Sequence, residues 1–208
     1  MADVKLYIPL VFKWEGKISN HPSDKGGLTN MGVTWGTYTT LAKKVLGIEP
    51  TKDNFYKLTK PQVEMIITYY WNQVKGNDIK DQRIANIVAD WYWGSGTTGN
   101  KWVNGTLKKY FNIPMPKNAG AISYDTVKSL NKVNQDKLYN YLTIEHKTFI
   151  DNIVKADKSQ IVFYEGWINR LNDMWEHNKQ FIKQGTGIVT VLAIGTIVAF
   201  VALRSGKG

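Results

Sequence analysis

Apolar side chains recur along most of this chain at three- and four-residue intervals, the spacing that places them on one face of a helix. Tyr38, Leu41, Ala42, Val45 and Leu46 form one such stripe, and it stops at Gly47. Thr59-Lys60-Pro61-Gln62 has the form of a capping box with proline in the first turn, where a missing N–H costs nothing. Val63, Ile66, Ile67, Tyr70 and Trp71 continue that helix, which is expected to end before Gly76. Ile84, Ile87, Val88 and Trp91 mark another, closed by Gly94, and Trp102, Val103 and Tyr110 a further one. Past Pro114 and Pro116, Ser123 caps a helix bearing Val127 and Leu130. Leu138, Tyr141, Leu142, Glu145 and Phe149 fit a long helix, and Phe163, Trp167, Leu171 and Trp175 a last one. Only GGLTNMGVTW, from Gly26 to Trp35, breaks the period, with glycine turns and β-favouring residues that predict a small hairpin.

The end of the chain differs in kind. Residues 186–203 read TGIVTVLAIGTIVAFVAL without a charge. As a helix this stretch measures about 27 Å, close to the roughly 30 Å of a bilayer core. Lys179, Lys183, Arg204 and Lys207 flank it. A membrane-spanning helix is expected there, with the lipid bilayer as its partner. The first residues, MADVKLYIPLVFKWEG, lack the basic-then-apolar plan of a signal peptide, so the globular part is expected to be made in the cytoplasm and tethered by its tail.

Composition narrows the chemistry. The chain has 208 residues, room for one good-sized domain or two small ones sharing an interface. There is no cysteine, which excludes disulfides, thiolate zinc sites and a cysteine nucleophile. The three histidines, His21, His146 and His177, lack metal-ligand spacing, so neither metal nor cofactor is expected. A net charge of +10 predicts attraction to polyanions, and the scattered lysines, without a nucleic-acid motif, rank wall polymer and lipid above nucleic acid. Eight tryptophans are many for this length and favour a glycan binder, because indole faces stack on sugars.

The residues able to do chemistry cluster early. Pro9 opens a short helix whose last turn holds Glu15, with Gly16 placed to cap it. A carboxyl there faces the negative end of the helix dipole beside Phe12 and Trp14, and both effects favour its protonated form. A general acid for glycosidic cleavage needs that property. Asp24, across the loop from Ser19 to Ser23, is the nearest second carboxylate, and Thr29 on the first strand of the hairpin can hold a water. On the residues alone the alternative stands level: Glu15 as a solvated helix-end charge and Asp24 as a turn former. Trp35, Tyr38, Trp93 and Ser95, with Asn30, are the candidates to line a substrate cleft; Trp93 and Ser95 sit beside glycines at a helix end. Asp90 and Glu165 fall inside apolar helical patterns and read as hydrogen-bonded structural carboxylates.

The first segment resembles the signature of glycoside hydrolase family 108, an EGG-type glutamate followed by a DPGG-x-TN-x-G-[IV]-T motif. Glu15-Gly16, Asn20, Pro22, Asp24, Gly26-Gly27, Thr29-Asn30, Gly32, Val33 and Thr34 carry the match. LTKPQVEMIITYYWNQV resembles that family's helix ending in a YW pair, and IANIVADWYWGSG, AISYDTVKSLNKVN and FYEGWINRLNDM resemble the peptidoglycan-binding domain that follows it. The resemblance implies a lysozyme-like muramidase acting on the peptidoglycan glycan strand, of a kind found in phages, prophages and bacteria, with Glu15 as catalytic acid. It resembles phage-type lysozymes in the Asp24–Thr29 pair, at a spacing one residue shorter. Lys17 and Lys25 depart from the pattern, standing where the family has glycine and proline.

The expected architecture is thus mainly α, lysozyme-like, with a small hairpin and one C-terminal transmembrane helix. Residues 1–80 are expected to form the catalytic region, 81–178 the peptidoglycan-binding-like region and 186–203 the span. A catalytically silent wall binder or assembly factor is the competing reading, and a lytic transglycosylase a third.

Overall fold

The computed structural model describes residues 1–14, 16, 18–20 and 27–182. After a 3-10 turn at Val4–Leu6 come α1 (Ile8–Trp14), the strands β1 (Thr29–Asn30) and β2 (Val33–Thr34), α2 (Trp35–Leu41) continued by a π turn to Leu46, and α3 (Lys52–Tyr56). They are followed by α4 (Lys60–Gln73), α5 (Gln82–Ser95), α6 (Thr97–Phe111), α7 (Tyr124–Lys132), α8 (Gln135–Ala156) and α9 (Ile161–Asn178). The strands pair antiparallel, Asn30 opposite Val33. The two residues between them, Met31 and Gly32, both have positive φ, as a tight primed hairpin turn demands.

Local chemistry accounts for the element ends. Gln62 accepts from the backbone N–H of Thr59 at 2.9 Å, completing the capping box of α4. Ser123 accepts from Thr126 N–H at 3.1 Å and starts α7, and Gly47, with φ 69°, ends the π turn. The end of α5 departs from expectation: Gly94 stays helical, and the chain turns at Gly96, whose positive φ suits only glycine. Helix α3, capped by Thr51, carries too short a stripe to be read from spacing.

Helix α5 is the axis of the molecule. Every residue from Gln82 to Trp91 is buried, because α4, α6, α8 and α9 cover it on all sides. One continuous apolar cluster runs from Ala2 through α5 to Met174 on α9. Helix α6 approaches α5 so closely that a Cβ on Gly99 would stand 2.4 Å from the carbonyl oxygen of Trp91. Gly99→Ala is therefore expected to force the helices apart and cost about 1–3 kcal/mol, the range for overpacking. Urea denaturation measures it, and an unchanged midpoint would refute the close approach.

The expected transmembrane helix is corrected. Among the described residues no helix is long and apolar enough to cross a membrane, and residues 186–203, where the span was placed, lie outside them. The described helix most nearly apolar all round, α5, has 14 residues and is covered by other helices. At about 21 Å it is shorter than a bilayer core. The described fold is mainly α with a two-stranded sheet.

His146 on α8 stacks on Trp91 with centroids 4.4 Å apart. Burial holds its pKa down at about 4, with Asp90 of α5 pulling it up and Arg170 of α9 pushing it down. The unfolded chain takes up this proton near pH 6.5 and the folded chain only near 4, so the unfolded state binds more protons in between. Stability from this group is complete above the unfolded value and is lost as pH falls through the window, by at most on the order of 3 kcal/mol. Thermal melts from about pH 7 to about 4.5 should fall, and His146→Phe should fall less steeply.

Candidate active site

The end of α1 is held from the far end of the chain. Trp14 Nε1 donates to Asp173 of α9 at 2.9 Å, and Lys13 pairs with the same carboxylate at 2.8 Å. Those two donors, Lys13 first, keep the Asp173 carboxyl below the usual carboxylate range. The guanidinium of Arg170, one turn earlier on α9, lies 4.7 Å from the Trp14 ring centre. Arg170 in turn donates to Asp90 of α5 through Nη2 at 2.7 Å and Nε at 3.0 Å. Asp90 is the structural carboxylate expected from the sequence, whereas Glu165 stands exposed on α9.

From Asp90 the last turn of α5 leads to Trp93, which meets Tyr70 of α4 edge-on at 5.0 Å. Tyr70 also contacts Tyr92 at 5.4 Å. Its hydroxyl lies 3.5 Å from that of Thr37, whose backbone N–H donates to the Thr34 cap of α2. Thr34 pairs with Thr29 in the hairpin, and Thr29 exchanges two backbone hydrogen bonds with Ser19, at 2.8 and 2.9 Å. Ser19 is five residues past Trp14, a stretch that spans at most about 18 Å. The contacts therefore close a ring through α1, α9, α5, α4, α2 and the hairpin.

Glu15 and Asp24 lie outside the described residues. Of the remaining candidates, Thr29 is half-buried and its hydroxyl donates to Gly27 C=O at 3.0 Å, leaving lone pairs to accept from a water. Trp93 and Ser95 are half-buried at the end of α5. Trp35 is half-buried too, with Lys52 Nζ 3.9 Å from its ring centre, so a sugar stacking on that face would displace the ammonium. Two residues are reassigned by burial. Tyr38 is fully buried between Trp35 and Phe55, and Asn30 spends its amide on Phe55 C=O at 2.7 Å. Both brace the wall from behind.

Tyr69, Tyr70 and Tyr92 are half-buried and form one aromatic group with Trp93. A signal for them exists. Successive helical residues point about 100° apart, so in Tyr69-Tyr70-Trp71 and Trp91-Tyr92-Trp93 only one ring of each triple can face the core. Trp71 and Trp91 take that place, and the others meet at the rim.

A braced helix end, a hairpin and a rim of aromatic rings suit an enzyme that works on a polysaccharide, and the protein is a glycoside hydrolase. Residues 8–96 match the family model Glycosyl hydrolase 108, from the start of α1 to the turn after α5. The solved structure of SagA from Brucella abortus is similar with a TM-score of 0.68 and 25% identity, covering 86% of this chain and 94% of that one. A likeness of that extent takes in helices beyond the family match. No curated protein matches the chain. Peptidoglycan is the substrate class consistent with the family.

Proposed function

We propose that the protein is a muramidase that cuts the β-1,4 bond between N-acetylmuramic acid and N-acetylglucosamine. Glu15 donates its proton to the glycosidic oxygen as the bond to the anomeric carbon breaks. A water, held by Asp24 or by Thr29, attacks that carbon and gives its proton to the Asp24 carboxylate in the first case or to solvent in the second. The family match over residues 8–96 carries this reading, since it encloses the whole signature from Glu15 to Thr34. Trp93, Trp35 and Ser95 supply contacts to the sugar, and the rim tyrosines extend them. Residues 1–80 bring the acid and the hairpin, while residues 81–178 complete the frame around them through Asp90, Arg170 and Asp173. A net charge of +10 draws the enzyme to an anionic wall. Local opening of the bacterial wall, or lysis by a phage or prophage, suits such an enzyme.

Mass spectrometry of digested peptidoglycan is the test. Reducing muramic ends are expected; anhydro ends would make the protein a transglycosylase, and intact glycan bound without cleavage would make it a silent binder.

A further inference from the structure

Between α5, α8 and α9 lies a half-open cavity of about 160 Å³, and no step of the proposed reaction uses it. Its walls include Phe149, Ile153, Trp167 and Leu171, with Ser95 and His146 as polar members. It adjoins the ring of contacts on two sides. Ser95 follows Trp93 in the last turn of α5, and Arg170, which also lines the cavity, lies against Trp14.

His146 is the unexplained member. Its Nδ1 is buried with no hydrogen-bond partner among the described residues. One face of the ring rests on Trp91, and the imidazole makes no hydrogen bond to any described side chain or backbone group. A buried imidazole without partners is costly, because desolvation of a polar group is repaid only by a bond. His146 lines the cavity and keeps 9% of its surface exposed, so a ligand seated there can meet the imidazole. Charge narrows the ligand's chemistry. Burial keeps His146 neutral at ordinary pH, and Arg170 is neutralised by Asp90 at 2.7 Å. The cavity thus offers an uncharged imidazole among apolar side chains, with the Asp90–Arg170 ion pair, neutral as a whole, also on its lining. A cavity of roughly 150 Å³ holds a benzene-sized group, so a small neutral amide with a methyl fits in size and in polarity.

We propose that this cavity receives the acetamido group of an N-acetylated sugar lying along the ring, with the His146 imidazole bonded to the amide and Phe149, Ile153 and Trp167 around the methyl. The proposal rests on the glycosidase reading and extends it, making the N-acetyl group a specificity determinant read by α8 and α9, outside the region that matches the family.

The His146 ring nitrogens, followed by NMR in the intact protein, report on the pocket directly. Titration with tri-N-acetylchitotriose is expected to shift them, and titration with cellotriose, which lacks acetamido groups, to leave them in place. Equal shifts with both, or none with either, overturn the proposal. Ile153→Trp, which fills the cavity without touching the His146–Trp91 stack, should raise KM on soluble glycan strands about tenfold with kcat held. An unchanged KM would also overturn it. Loss of cleavage on every glycan, with the His146 shift intact, would count against the muramidase reading and leave the acetamido pocket standing.

Discussion

Glu15→Gln should lower peptidoglycan cleavage by about a thousandfold, within the range for losing a general acid, while the fold and wall binding survive. The amide is nearly isosteric with the acid but has no proton to give to a departing sugar oxygen. Among the described residues, Trp14 is held by Asp173 and Arg170, and the hairpin by Ser19 and Phe55. Turbidity clearing of purified walls measures the rate, circular dichroism the fold, and co-sedimentation the binding. A variant that clears walls at the parent rate would remove Glu15 from the mechanism. The same variant distinguishes an enzyme from a binding protein, since only an enzyme loses a turnover.

Asp90→Ala has the larger expected effect on stability. Asp90 is buried, 4% exposed, and receives two hydrogen bonds from Arg170, whose side chain is 22% exposed. Removing one partner of a buried pair leaves an uncompensated charge and costs about 3–5 kcal/mol; partial exposure of Arg170 sets the expectation near the lower end. The loss should reach catalysis as well. Arg170 supports the Trp14 ring, and displacement of a reacting group by about 1 Å can cost a hundredfold in rate. Asp90→Asn, which keeps the shape and can still accept a hydrogen bond, should fall between parent and alanine variant in both readouts. Urea denaturation and single-turnover cleavage at a temperature where each variant is folded separate the two effects. If both stay at parent values, the Asp90–Arg170 pair supports nothing.

Local pattern announced most of the helices because it depends on neighbours a few residues apart. The capping box at Thr59 and the cap at Ser123 stand where their residues place them. The turn at Met31-Gly32 also follows from short-range chemistry. The signature from Glu15 to Thr34 was legible for the same reason, being contiguous, and the family match encloses it. Side-chain exposure was less legible. Tyr38 and Asn30 were expected at the substrate, yet Tyr38 packs against Trp35 and Phe55 while Asn30 bonds to the Phe55 carbonyl. Phe55 lies on α3, the short helix that spacing did not reveal.

By itself, then, the sequence determined the helical class, the hairpin and the reaction class, and it nominated Glu15 as the acid of the proposed mechanism. Tertiary structure alone decided how the end of α1 is held: Trp14 meets Asp173 across 159 residues of chain, and Arg170 meets Asp90 across 80. It also decided which ring of each aromatic triple faces inward and that α5 runs through the middle. Helical period and capping arise within a turn or two of chain. A contact between distant segments depends instead on how several amphipathic faces share one core, and no single stretch of sequence carries that information.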